Sequence, residues 1–197
     1  MPASTDRSPR ANAAKSRAEL LAVAQTLVST RGVTALTMNA VAAAAGVGVG
    51  TVYSRFGDHG GLVEALMTER ESRLQLGMCE GRPPLGPGAE PVDRIRAFLH
   101  AYADVLDDYA PLMAAAEARM SPQRRYRTGP YAVHRAHLQH LLVEAGHGDH
   151  AGYLADALLA PLAAGLFTLQ RHDERVPLDS LKAGLDELLA VSTGADT

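Results

Sequence analysis

Residues 37–56 constrain the fold most strongly, because two short helical runs there are joined by a glycine-containing turn. Thr37 is a suitable N-cap for the first helix, and Gly46 ends that helix. A second short helix begins near Gly48. In a helix-turn-helix, one short helix braces across a phosphate backbone while the second enters the major groove, at an angle fixed by a tight turn. This string therefore predicts a helix-turn-helix.

The side chains of this string divide between two faces. Four aliphatic side chains can face inward: Val41, Ala42, Val47 and Val52. The polar side chains that would point toward a partner are Asn39, Thr51, Tyr53 and Arg55. The alternative is a purely structural three-helix unit, in which the glycines and alanines only allow close packing.

The residues on either side of the string favour DNA binding. Between residues 17 and 62, in register, the chain carries Gly32, Thr37, a Val-Ala pair, Ala-Gly-Val, Gly-Thr-Val-Tyr, Phe56 and Leu62. This segment closely resembles the DNA-binding domain of the TetR family of bacterial transcriptional regulators. The resemblance implies a dimer that binds double-stranded operator DNA through two such motifs.

The resemblance also implies which residues would contact DNA. Residues 48–56 would be the recognition helix, with several of its residues near bases, and the Tyr53 hydroxyl would reach a phosphate. Thr37 would present the N-terminus of the preceding helix to another phosphate. Asn39 could read a base edge or be an ordinary solvated residue. The set predicted to bind DNA is Thr37, Asn39, Val49, Gly50, Thr51, Tyr53, Ser54, Arg55 and His59.

Three positions depart from the family pattern, and at one of them Gly60 replaces the usual acid. Gly48 stands where Ser or Thr usually opens the recognition helix, which gives a weaker cap. His59 stands where a Lys commonly contacts phosphate, and it is predicted to occupy the same place. These departures predict weaker binding to the DNA backbone than in relatives.

Composition and charge fit a cytoplasmic DNA-binding protein. The net charge is −3, but residues 1–70 hold seven basic and five acidic side chains, a local charge of +2. Positive charge is therefore concentrated where a phosphate backbone could use it. The single cysteine, Cys79, excludes an intrachain disulfide and a cysteine-based zinc site. No secretory signal and no unbroken apolar run of about 18 residues is found, so neither export nor a membrane is expected.

Helical periodicity along the whole chain predicts an all-α fold. We expect a mobile basic arm over 1–15, a helix-turn-helix DNA-binding domain over 16–60, and a helical bundle for ligand binding and dimerisation over 61–197. The Gly- and Pro-rich stretch 80–91 must be a loop. The helix after it is expected to end before Pro111, and a later apolar helix is expected to kink at Pro161.

The C-terminal half is predicted from the resemblance in outline only. In the family, the last two long helices pair with those of a second subunit. The dimer-interface candidates are Leu158, Leu162, Leu166, Leu181, Leu185 and Leu188. An unidentified small-molecule effector would bind among the middle helices, and no cofactor is expected. The pocket candidates, each of which could equally be plain core, are Phe98, Tyr102, Met113, Met120, His134 and Phe167.

Three alternatives to an effector-released repressor remain open at this point. His134, His137 and His140 suggest metal sensing, but helical geometry places them on different faces, so no metal site is expected. An enzyme built on a helical bundle lacks any recognisable catalytic constellation. An architectural DNA-binding protein without a sensor would show a filled core among the middle helices.

Overall fold

The chain is folded almost entirely into helices. The computed structural model describes residues 9–127 and 129–194, and within these ranges the chain forms ten α-helices and no β-strand. The predicted all-α fold is therefore confirmed. Two compact units divide the chain, Met1–Glu69 and Arg70–Thr197.

The first unit is built around an apolar centre. Its helices are α1 (Pro9–Arg31), α2 (Met38–Ala45), α3 (Val49–Phe56) and the start of α4 (His59–Glu80), with a 3₁₀ turn over Val33–Ala35. Ala24, Val41 and Val52, from three different helices, are completely buried. Gly32 ends α1 with a left-handed φ of 75°. Its N–H donates to the Val28 carbonyl at 2.8 Å, which satisfies one of the last carbonyls of the helix.

The N-terminal arm is only partly as expected. Residues 1–8 lie outside the described residues, whereas residues 9–15, predicted as part of the arm, belong to α1. Three alanines in this stretch favour helix strongly. Pro9 opens the helix, where its missing N–H would have no helical acceptor. The helix therefore extends through a segment whose mixed composition suggested disorder.

The two units meet inside α4, at residues 69 and 70, whereas the sequence suggests a boundary at residue 60. Leu62 and Leu66 are completely buried, so the first turns of α4 contribute to the core of the first unit. Leu74 and Met78, farther along the same helix, are buried within the second unit. A helix that serves both units shows no break in its sequence at the division.

The second unit continues from α4 into a helical bundle. The Gly- and Pro-rich stretch forms the predicted loop between α4 and the next helix. The remaining helices are α5 (Pro91–Glu117), α6 (Pro122–Arg127), α7 (Gly129–Glu144), α8 (Ala151–Leu159), α9 (Ala164–Thr168) and α10 (Leu178–Thr193). Helix α5 packs against α7, α9 and α10, and α7 packs against α8. The buried face of α5 is the centre of this unit.

The sequence predicts that helix α5 ends before Pro111. The helix instead continues through this proline to Glu117. A proline inside a helix removes the N–H that would bond to the carbonyl four residues earlier. Tyr109 and Ala110, just before the proline, are buried in the core. Tertiary packing on this face holds the helix together across the missing hydrogen bond.

Pro161 interrupts the apolar segment Ala151–Asp173, as predicted. A 3₁₀ turn over Ala160–Leu162 separates α8 from α9, and a π-helical turn follows over Leu169–Asp173. By length and composition alone this segment could span a membrane, although no membrane-spanning helix was expected from the sequence. It is apolar on average because charged and polar side chains are sparse between Ala151 and Leu169. One such segment is weak evidence for a membrane, because helices of soluble proteins pass the same test.

Candidate functional site

A tight turn fixes the two short helices of the first unit relative to each other. Thr37 adopts extended geometry before α2, and its hydroxyl oxygen accepts a hydrogen bond from the Ala40 N–H at 3.1 Å. Gly46 ends α2 with a φ of 68° and a ψ of 31°. The Val47 N–H then donates to the Ala42 carbonyl at 3.0 Å, which closes the C-terminal cap. These contacts confirm the capping residues that the sequence suggested.

We expect Gly46→Val to lower the free energy of unfolding by about 1–2 kcal/mol or more, because a β-branched side chain disfavours left-handed backbone. The matched control is Gly50→Ala, which adds a methyl group in the helical part of α3 where no atom lies within 4 Å. That change should stabilise the chain by about 0.5–1 kcal/mol. Urea unfolding of both variants measures the difference, and equal stabilities would contradict the account of this turn.

Helix α3 has one buried and one open face. Val52 is completely buried, and Phe56 is 7% exposed beneath the guanidinium of Arg17, which lies 5.1 Å from the ring centre. Phe56 sits four residues after Val52, so the two share the inner face. The opposite face carries Val49, Gly50, Tyr53 and Ser54, all exposed. This face presents one aromatic hydroxyl, one aliphatic hydroxyl and open backbone to solvent.

The remaining predicted contact residues lie around that face. Asn39 and Arg55 are exposed, and neither has a hydrogen-bond or ion-pair partner among the described residues. Thr51 is half-buried, so it lies at the margin of the open face. Val47, expected to face inward, is 37% exposed because it lies in the turn itself. An eight-residue helix with an exposed face has the width that a major groove admits.

The sequence of this region matches a known family. Residues 20–66 match the family model described as bacterial regulatory proteins, tetR family. This segment is similar to the DNA-binding domain of the tetR family. The match includes all of α2 and α3, so it coincides with the helix-turn-helix and its open face. The chain is therefore a DNA-binding transcriptional regulator. A comparison with curated proteins gave no match.

Two solved structures share the fold of this chain. One is described as a TetR-family transcriptional regulator from Rhodococcus sp.; it is 21% identical, with a TM-score of 0.63, and the match covers 91% of this chain and 99% of that one. The other is a TetR-like transcriptional regulator from Rhodococcus sp. RHA1, 20% identical, with a TM-score of 0.56 and coverage of 96% and 100%. At this identity the likeness supports the fold alone.

His59, which was predicted to contact a phosphate, makes a hydrogen bond within the chain. Its Nε2 lies 2.8 Å from the Leu36 carbonyl oxygen, which can only accept a hydrogen bond, so Nε2 carries the proton and donates. The ring thereby links the start of α4 to the segment before α2. The Nε2–H group is therefore not available to a phosphate. Sequence alone could not find this contact, because its partner is a backbone carbonyl 23 positions away.

In the second unit, the structure brings three of the six pocket candidates together. Phe98 and Tyr102 stack on α5 with ring centres 6.0 Å apart. The His134 ring on α7 meets Tyr102 edge to face at 4.6 Å and Phe98 at 5.2 Å. Phe167 is also buried and Met113 half-buried, but Met120 is 42% exposed beyond the end of α5. Met120 is therefore unsuited to line a buried site, because the helix ends before it.

The sequence missed the polar partners of this aromatic cluster. His134 Nε2 lies 2.9 Å from Glu71 Oε1 on α4, and Glu71 also accepts a hydrogen bond from Gln75. Periodicity placed His134 correctly on an apolar face, but it carries no information on a partner 63 positions away. Among the described residues, no group of three or more His, Cys, Asp or Glu side chains could hold a metal ion.

The dimer-interface candidates need correction. Leu158, Leu162 and Leu185 are at most 4% exposed within the single chain, so they belong to its own core and cannot contact a partner. Leu181 and Leu188 are half-buried, and Leu166 is 42% exposed. Apolar periodicity does not distinguish a face buried by the same chain from one buried by another. Between residues 151 and 194, the large apolar side chains that stay exposed are the predicted Leu166 and three others, Tyr153, Leu169 and Val191.

Proposed function

We propose that the chain is a cytoplasmic repressor that binds a palindromic operator as a homodimer and releases it when a small molecule binds the second unit. The observation that carries this proposal is the open face of α3. A regulator must present side chains to base edges while other side chains hold its helix in the core. On α3 the buried Val52 and Phe56 serve this second purpose. Val49, Gly50, Tyr53 and Ser54 are then free to enter a major groove.

The contacts to DNA separate into two kinds. The Tyr53 hydroxyl and the N-terminus of α2 at Thr37 suit phosphates, which position the protein but carry no sequence information. Val49, Thr51 and Ser54 suit base edges, with Val49 able to contact a thymine methyl group. Asn39 and Arg55 are exposed beside them and complete the proposed interface. His59 acts indirectly, by holding the start of α4 against the segment before α2.

Dimerisation is supported by the exposed apolar side chains of the second unit. Tyr153 is 78% exposed and Val191 is 82% exposed, and both lie in the last helices of the chain. Leu166 and Leu169 are exposed on the segment that is apolar enough to cross a membrane. Large apolar side chains that are exposed in one contiguous patch usually mark an interaction site. A second copy of the chain would cover them, without any need for a lipid bilayer.

Release by an effector requires a ligand that prefers the state unable to bind DNA. Support for a sensor comes from the buried cluster of Phe98, Tyr102 and His134, which combines aromatic surface with polar atoms. Such a mixture is typical of small-molecule sites. The effector would bind here, and its preference for one separation of the two recognition helices would weaken the operator complex.

Selection of bound duplexes from a randomised library, with the full chain, tests this proposal. We expect the selected sites to have dyad symmetry, with half-sites about one helical turn apart. A reporter gene placed behind a selected site should be expressed less when the protein is supplied. Selected sites without dyad symmetry would contradict dimeric binding, and unchanged or higher expression would contradict repression.

A further inference from the structure

Positive charge in the second unit is concentrated in one short segment. Residues 119–127 hold four arginines and no acidic side chain. The rest of this unit holds nine basic and 17 acidic side chains. The segment is therefore a positively charged region of a unit that is otherwise acidic. Such an uneven distribution attracts a negatively charged partner to this one region.

Three of the four arginines are exposed, and we refer to them as the basic surface: Arg119, Arg124 and Arg127. Arg119 lies in the turn before α6. Arg124 and Arg127 are three residues apart, so they lie on the same face of α6. Arg119 and Arg127 have no hydrogen-bond or ion-pair partner among the described residues. A guanidinium group without a partner has five N–H donors in a geometry that suits phosphate oxygens.

Helix α6 is anchored to the rest of the unit by the fourth arginine and by two tyrosines. Arg125 pairs with Glu117 at the end of α5 at 2.6 Å. The ring of Tyr126 meets that of Tyr131 edge to face, with centres 5.0 Å apart. The Tyr131 hydroxyl donates to Asp156 on α8 at 2.8 Å. These contacts hold α6 in place, so binding through its arginines does not require a loop to become ordered.

Two arguments favour duplex DNA as the negatively charged partner. A duplex carries one phosphate charge per about 1.7 Å of its axis, and it is the polyanion that a DNA-binding regulator meets. Single-stranded nucleic acids bind largely by stacking bases on open aromatic faces. Tyr126 is 47% exposed, but the guanidinium of Arg125 already lies over its ring, 5.3 Å from the centre. The segment therefore suits phosphates better than unstacked bases.

We propose that Arg119, Arg124 and Arg127 form a second DNA-binding surface, which contacts the phosphates of duplex DNA whatever the base sequence. Phosphate contacts add affinity without specificity, whereas contacts to base edges select the site. The basic surface thus raises the affinity of the chain for any duplex. This inference goes beyond the proposed function and does not depend on repression, dimerisation or an effector.

The double variant Arg119→Gln, Arg127→Gln tests the proposal, and the matched control is Arg82→Gln, Arg175→Gln. All four side chains are exposed in the second unit, so each variant removes two surface charges. Fluorescence anisotropy gives the affinity for a labelled duplex of arbitrary sequence at several salt concentrations. Loss of two phosphate contacts should lower the slope of log affinity against log salt by about 2, and should weaken binding about tenfold or more near 0.1 M salt. The control should weaken binding by less than about threefold.

Equal slopes for the double variant and its control would overturn the proposal. A larger loss of affinity for a single strand of the same length than for the duplex would overturn the choice of partner. The variant Arg119→Lys, Arg127→Lys keeps both charges and should keep the wild-type slope. If this variant also loses the slope, the charge of these side chains is not what binds the duplex, and the proposal fails.

A measurement on the wild-type chain does not depend on the folding of any variant. Phenylglyoxal modifies accessible arginine side chains, and mass spectrometry identifies the modified positions. An excess of the duplex should protect Arg119 and Arg127, and should leave Arg82 and Arg175 reactive. Equal modification of Arg119 and Arg127 with and without the duplex would overturn the proposal. That result would leave the proposed function in place, because the proposed function is supported by α3.

Discussion

Tyr53→Glu is expected to weaken binding to a selected operator by about a hundredfold or more at constant salt. The substitution removes a hydroxyl that can donate to a phosphate and places a carboxylate beside the DNA backbone. Because Tyr53 is 50% exposed, and its hydroxyl has no partner among the described residues, the folded chain should lose little stability. Fluorescence anisotropy with a labelled duplex measures the affinity.

The matched control for this substitution is Val143→Glu. Val143 is also 50% exposed and lies on α7, in the second unit, so the change adds the same charge at a site outside the proposed interface. It should change operator affinity by less than about threefold, the scale of a weak surface charge effect. If both variants bind equally well, or equally badly, the open face of α3 is not the surface that contacts DNA.

The double variant Leu166→Glu, Leu169→Glu is expected to raise the dimer dissociation constant by about a hundredfold or more. The two side chains are 42% and 45% exposed in the single chain, so the monomer tolerates the change. In a dimer the new carboxylates would lose water without gaining partners, which is strongly unfavourable. Sedimentation velocity over a range of concentrations gives the constant.

The control for this pair is Val133→Glu, Val143→Glu on α7. These residues are 41% and 50% exposed, so the control introduces the same two charges at similarly exposed apolar positions. It should leave the dimer intact. An unchanged dimer in the Leu166 and Leu169 variant would show that the interface lies on another surface. Dissociation in both variants would indicate a general effect of charge.

The sequence was most informative where structure depends on near neighbours. Thr37 caps α2 through a hydrogen bond to Ala40, and Gly46 ends the helix in a left-handed conformation. Both signals lie within four residues of the contacts that they make, and they determine the helix-turn-helix. Pro161 likewise breaks its segment, because the loss of a backbone donor is a local effect.

The sequence was least informative where distant residues decide the outcome. Pro111 stays within α5 because packing of that helix outweighs the missing hydrogen bond. His59 donates a hydrogen bond to the backbone carbonyl of Leu36. Every residue type has such a carbonyl, so the sequence does not reveal which one is the partner. Leu158 and Leu185 share the apolar period of the last helices, but the same chain already buries them. Apolar periodicity identifies the face of a helix that is buried, but it does not show whether the same chain or a second chain covers that face.

Hydroxyl-radical footprinting of a selected operator with the full chain tests the central claim most directly. Two copies of α3 in successive major grooves should protect two segments on one side of the duplex, with centres about 34–36 Å apart. Both segments should lose protection together when Tyr53→Glu replaces the wild-type chain, and both should remain with Val143→Glu. A single protected segment, or protection that Tyr53→Glu leaves intact, would contradict a dimer that reads DNA through α3.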